Sequence, residues 1–175
     1  MRITLERVSK SDLGLKVLMA RHYSQPKGFV GRQLIYAIWV DGVGYGAIAA
    51  GSATLHLPGR SEFLDASNLD AIVNNTFFHI EGPYPMRNFA QRVVAEWRAR
   101  VLIDWPAIYG DAVAGFETLV ELPRTGEIYR RDGWTEVGLT KGLTCKRVAG
   151  KSTDGWSGRR VWGTGTPKRV FCRHP

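Results

Sequence analysis

A chain of 175 residues that is 44% hydrophobic and 23% charged has enough apolar surface for one compact core and too little length for two full domains. Its 20 glycines, eight prolines and six tryptophans follow no period, which excludes collagen-like, coiled-coil and repeat architectures, and the apolar content excludes a disordered chain. The formal net charge of +8 excludes an acidic partner-avoiding surface and favours anionic partners.

Met1-Arg-Ile-Thr-Leu-Glu6 alternates polar and apolar residues, so residues 2–8 predict a strand rather than a leader segment. Ser9 or Ser11 then caps a predicted helix over Asp12–Arg21, with Leu13, Val17 and Ala20 at helical spacing. After His22-Tyr23-Ser24, a loop with Pro26, Gly28 and Gly31 leads to strands 34–40 and 44–50. Asp41-Gly42 between them is a tight hairpin turn, because both positions tolerate positive φ. Residues 51–68 read as irregular, Asn68 caps a short helix over 69–74, and Thr76–Ile80 is a buried strand. The clearest helix opens at Asn88 as its cap. It carries Phe89, Val93, Trp97, Val101 and Trp105 as a core stripe, with Arg92, Glu96 and Arg100 as an ion-pair ladder, until Pro106 stops it. Residues 114–122 predict a strand, 125–131 a short helix ending at Gly133, and 134–140 another strand. A Gly-rich loop over 150–166 precedes a last, edge-like strand at Lys168–Arg173.

The charge is unevenly placed along this order. Residues 1–140 balance 15 Lys/Arg against 15 Asp/Glu, so the excess falls on residues 141–175, where nine basic residues face Asp154 alone. Lys141, Lys146, Arg147, Lys151, Arg159, Arg160, Lys168, Arg169 and Arg173 alternate with Trp156, Trp162, Phe171 and glycines. That mixture suits a nucleic acid, whose phosphates release counterions on neutralisation and whose unstacked bases stack on aromatic rings. A solvated basic face is the plainer alternative. No apolar run approaches the roughly 20 residues that span a bilayer, so no membrane partner is expected and a cytoplasmic location is. Cys145 and Cys172 lack the close spacing of a structural zinc site and are expected as thiols, with a single bridge left open.

The order of elements resembles acetyltransferase-like (GNAT) folds, single α/β domains in which a mixed sheet splays open between its fourth and fifth strands. Gly126–Gly142 resembles that superfamily's closing helix, which makes Tyr129 the counterpart of a tyrosine that returns a proton to the leaving group. The superfamily's glycine-rich phosphate loop is replaced by Pro83-Tyr84-Pro85-Met86-Arg87-Asn88. Prolines lack an N–H, so a coenzyme A pyrophosphate loses its usual nest of amides, although Arg87 at the helix start can bind an anion. The donor is left as an unidentified acyl carrier, acetyl-coenzyme A among them.

A series of blocks also resembles the bacteriophage Mom family of DNA-modification proteins and a related domain of the Druantia anti-phage systems. These are His22-Tyr23-Ser24, Gly51-Ser52-Ala53, Asn74-Asn75, Asn88-Phe89-Ala90, Asp104-Trp105 with Tyr109-Gly110, Phe116-Glu117-Thr118, Tyr129–Trp134, Val137–Gly142 with Lys141, and Pro167–Phe171. The resemblance implies an enzyme that adds a carbamoylmethyl or acyl-derived group to the exocyclic amine of adenine in double-stranded DNA and so protects a phage genome from restriction. Such chemistry needs a flipped base, read along its edge and stacked. Asn74, Asn75 and Asn88 can read an adenine edge, and Tyr84 or Trp134 can stack. His22 and Glu117 are candidate bases, while His22, Tyr23 and Glu117 together could ligate iron or another divalent metal. Ser24, Arg87 and Lys141 join the candidate substrate contacts, and Arg159, Arg160, Lys168 and Arg169 the DNA contacts. Pairing of two chains is left open. The rival readings are a non-catalytic DNA-binding module and a conventional acetyl-coenzyme A-dependent N-acetyltransferase.

Overall fold

The computed structural model describes residues 1–148 and 159–175, and of 144–148 and 159–160 the backbone alone. A seven-stranded sheet runs in the order β1-β2-β3-β4-β5-β9-β6. Its strands are β1 (Ile3–Val8), β2 (Gln33–Val40), β3 (Val43–Ser52), β4 (Ile72–Ile80), β5 (Gly115–Glu121), β6 (Thr135–Leu139) and β9 (Lys168–Arg173). Between β6 and β9 the chain forms a separate ribbon of β7 (Leu143–Val148) and β8 (Arg159–Thr164). The Gly-rich stretch therefore contains a strand; its residues 149–158, with Trp156, lie outside the described residues. The helices are α1 (Leu13–Arg21), α2 (Arg60–Phe63), α3 (Phe89–Tyr109) and α4 (Glu127–Arg131).

Alternation along the strands separates two cores. Tyr36, Ile38, Ile48, Val73, Phe116 and Phe171 pack on the Phe89, Val93, Trp97, Val101, Trp105 stripe of α3, which is wholly buried as expected. On the opposite face Ile35, Ala47, Ala49 and Phe77 pack on α1, and Ile72, Val170 and Cys172 on Leu64 beside α2.

Several elements differ from their sequence expectation, each for a local reason. Asp12, not a serine, caps α1, its Oδ1 accepting from Leu15 N at 2.9 Å. The face that α1 buries is Leu15 and Met19, leaving Leu13 76% exposed and Val17 half-exposed. Asn68 does cap, accepting from Asp70 N at 3.1 Å, but only a single 3-10 turn (Leu69–Ala71) follows before β4 begins at Ile72. Asn88 precedes α3 in the left-handed region (φ 56) and its side chain caps nothing. Pro106 lies inside α3, which runs on to Tyr109 and closes on Gly110. The last turn survives because Tyr109 Oη both accepts from Gln33 N and donates to Gln33 O, at 2.9 Å each. Arg100 bonds Asp104 at 2.7 Å rather than Glu96, on a carboxylate that also accepts from buried Tyr36 Oη at 3.0 Å. Strand β9 is interior, paired with β5 on one side and β6 on the other.

One irregularity positions the site. All neighbouring strands are antiparallel except β4 and β5, which pair in parallel only over Ile72–Asn75 against Gly115–Thr118. Beyond that pair β4 stays with β3, displaced by a bulge at Thr76, while β5 stays with β9, so the two strands part.

Candidate active site

Where β4 and β5 part they leave a cleft of about 820 Å³. Its walls are residues 74–80 and 118–120, whose edges are open beyond the last rung at Asn75 and Thr118, with His22–Ser24, Tyr84, Ala90 and residues 123–129 around them. Each edge is bonded on its outer side only, so backbone N–H and C=O groups face the opening without a strand to pair with.

The apex is polar and ordered. Tyr129 Oη donates to Asn75 Oδ1 at 2.6 Å. Asn75 Nδ2 in turn donates to Ala49 O at 3.0 Å and Phe77 O at 3.2 Å, tying the amide across the bulge. Thr118 Oγ1 donates to Asn75 O at 3.1 Å, closing the last rung between the strands. Burial pushes the Tyr129 phenol well above its ordinary value, so at neutral pH it holds its proton. Asn74, also buried, donates through Nδ2 to Thr54 Oγ1 at 3.0 Å, and its Oδ1 has no partner among the described residues. A buried oxygen without a partner, on a residue that lines a cleft, is an acceptor for a ligand N–H that can reach it.

His22 lies at the cleft wall with its ring 4.2 Å from Tyr23, 4.9 Å from Phe77 and 5.9 Å from His79. Its Nδ1 accepts from Ser24 N at 3.2 Å and lies 2.8 Å from Ser24 Oγ, so the neutral ring carries its proton on Nε2. Burial first, and the neighbouring His79 second, lower its pKa to about 4. The ring is therefore neutral across the neutral range. Tyr23, half-exposed and with its phenol raised by burial, stacks under the Arg124 guanidinium at 3.4 Å, a cation–π contact that joins the two lips of the cleft.

Other sequence candidates fall elsewhere. Glu117 is fully buried on the α2 face, its Oε2 2.9 Å from Arg60 Nη1 and its Oε1 accepting from Thr54 N at 2.6 Å. Both oxygens are engaged inside the protein, so the expectation of a base or ligand beside His22 is not met. Among the described residues no group of His, Cys, Asp and Glu is placed to hold a metal. Trp134 is a core residue, donating to Asp132 Oδ2 at 2.8 Å and packing edge-on against Tyr129, which corrects its reading as a stacking platform. Arg87 and Asn88 are exposed at the start of α3 and outside the cleft lining. Lys168 stands 3.7 Å from Glu121, and Arg169 bonds Glu136 at 2.8 Å. The Arg159 and Arg160 side chains lie outside what is described. Sequence reasoning missed Arg60, Thr54, Thr118 and Arg124. Arg60 stood in a stretch read as irregular, and the one available signal was a buried-strand carboxylate, Glu117, that needed a cation.

A second cleft of about 960 Å³ lies on the α2 face, bounded by residues 54–61, the β6–β7 connection with Lys141, and the base of the β7–β8 ribbon. Leu119 and Lys168 line both clefts, so the two adjoin.

The split sheet with helices on both faces is the GNAT acetyltransferase fold. A Bacillus subtilis acetyltransferase solved with coenzyme A shares it at 8% identity and a TM-score of 0.62, over 99% of both chains. A GNAT family acetyltransferase from Elizabethkingia anophelis with acetyl-coenzyme A bound matches at 6% identity and 0.58, over 99% of this chain and 98% of the other. The Escherichia coli ribosomal-protein-S18-alanine N-acetyltransferase matches at 12% and 0.54, over 99% and 94%. No protein-family model matches the chain, and no curated protein does. The likeness to Mom and Druantia proteins rests on the sequence blocks alone.

Two of these neighbours hold coenzyme A or acetyl-coenzyme A, and the cleft of this chain can be set against what such a ligand needs. Two facing strand edges suit the amides of a long polar arm. At the phosphate end the glycine nest is absent, but no side chain caps α3 among the described residues, so its first turn can offer N–H groups, with Ala90 and the Arg124 cation on the cleft lining.

Proposed function

We propose that this protein is a GNAT-type transferase that moves an acyl-type group from a thioester donor to an amine. The observation that carries the reading is the hydrogen bond from protonated Tyr129 to Asn75 at the apex of a cleft walled by two open strand edges. A bound thioester would supply the activated carbonyl. The chain's own groups do the rest: the β4 and β5 edges bind the arm, and Asn74 Oδ1 accepts an N–H of the amine and aims its lone pair; as the C–N bond forms and the C–S bond breaks, Tyr129 Oη gives its proton to the leaving sulfur, and the proton the amine sheds passes to solvent, which reprotonates the phenol. Tyr129→Phe should lower turnover about 10²- to 10⁴-fold with donor affinity by calorimetry within about two-fold. Turnover equal to the wild type would remove this role.

A second, finer reading makes the amine that of adenine in DNA. It is favoured by convergence: His22, Tyr23, Ser24, Asn74, Asn75 and Tyr129, from separate blocks of the Mom resemblance, line one cleft. Mass spectrometry of nucleosides from cells expressing the protein tests it. A modified deoxyadenosine, absent with Tyr129→Phe, is expected; unmodified DNA alongside transfer to other amines in vitro would leave the conventional N-acyltransferase.

A further inference from the structure

The second cleft is large, adjoins the first, and takes no part in the apex chemistry. Four big apolar side chains stand exposed on it: Leu55 (73%), Leu139 (51%), Leu143 (59%) and Trp162 (66%). Single exposed apolar residues are ordinary, but several gathered on one concave surface mark a ligand site. Trp162 comes from β8, opposite Cys145 in the ribbon, and Leu143 from β7. The ribbon is anchored at its base by Gly165 N donating to Gly142 O at 2.5 Å, so Trp162 is carried on a built element.

The charge around the cleft selects the ligand. Arg60 is neutralised by Glu117, and Lys168 faces Glu121, the one carboxylate on the second cleft's lining. Lys141 adds an exposed cation to the lining. A flat indole on an apolar surface with Lys141 beside it suits a nucleobase on a phosphate chain, since every base has a face to stack and every phosphate a charge to neutralise. The floor leads inward. Thr54 lines the second cleft, and its hydroxyl holds Asn74, which lines the first.

We propose that the second cleft receives an unpaired base of a DNA strand, stacked on Trp162 with Lys141 beside the phosphates, and presents it through the sheet opening to Asn74. This rests on the adenine reading above and names its entry face and its stacking residue.

The test uses the full chain and a fluorescent DNA duplex carrying one unpaired adenine, read by anisotropy at fixed salt. Trp162→Ala should weaken binding about 5- to 150-fold, the loss of one base stack, and Trp162→Phe should recover most of it. Thioester affinity, measured by calorimetry without DNA, should be unchanged in both variants. Equal DNA affinity in Trp162→Ala and wild type overturns the proposal, as does equal affinity for the fully paired duplex, or tighter binding to RNA of the same sequence. If no thioester binds while DNA binding still depends on Trp162, the transfer reading fails and the base site stands. Because Trp162 is exposed, the variant is expected to keep the wild-type melting curve, which separates loss of contact from loss of fold.

Discussion

Glu117 has no contact with solvent, and a carboxylate in that position must be paired. Arg60 supplies the pair and reaches further, donating to Thr54 O and Leu55 O, while Glu117 takes Thr54 N. Thr54 is thereby held at both backbone groups, and its hydroxyl orients Asn74. One ion pair thus fixes an uncharged amide at the cleft floor without facing the cleft itself. Removing one member of such a pair leaves a buried charge alone, so Glu117→Ala should cost about 3–5 kcal/mol in denaturant unfolding. Asn74→Leu should raise the KM for the amine with little change in global stability, and Asn74→Asp, which keeps an acceptor oxygen, should restore part of it. His22 gives a pH signature. Its folded pKa of about 4 lies below the ordinary 6.5, so the unfolded chain binds the extra proton between these values. Its stabilisation is complete above about 6.5 and is lost as pH falls toward about 4. Unfolding midpoints taken across this window should show a slope that His22→Asn reduces. At this scale the sequence was a partial guide. His22, Tyr23, Asn74, Asn75 and Tyr129 were all visible and share the cleft, whereas Glu117 and Trp134 were misplaced because strand alternation tells that faces differ, not what each face meets.

Periodicity read α3 correctly, since every fourth residue of a long helix has a single face to bury. In α1 two apolar sets compete, Leu13 with Val17 and Leu15 with Met19, and only packing on β3 and Phe77 decides between them. Leu15→Ala or Met19→Ala should therefore cost about 2–5 kcal/mol, and Leu13→Lys or Val17→Lys about 0.5 kcal/mol or less, by the same denaturant measurement. Pro106 misled for a related reason. A proline removes its own N–H bond and no other, and Tyr109 clamped to Gln33 is enough to keep the final turn. The short α2 was hidden because its entry is a glycine rather than a side-chain cap: Gly59 sits at φ 77, and a Cβ there would strike Val137 O. Gly59→Ala should loosen the α2 face and the Arg60 pair with it.

For the molecule as a whole, the succession of strands and helices was legible and led to the split sheet, because each strand carries its own alternation and each turn its own chemistry. The position of β9 was not. Its mixture of basic and apolar residues suggested an edge, yet Lys168 and Arg169 find Glu121 and Glu136, and Val170, Phe171 and Cys172 fill both cores. With those two cations engaged at home, charge-reversing them should change the salt dependence of DNA binding less than Lys141→Glu does. Placing the last strand in sequence between two made earlier has a consequence for assembly. Strands β5 and β6 are bridged by β9, so β6 stays unpaired until β9 slides between them while the other five strands of the sheet can gather. Closure then depends on contacts between distant stretches of chain, the kind that slow folding and leave room for mispairing.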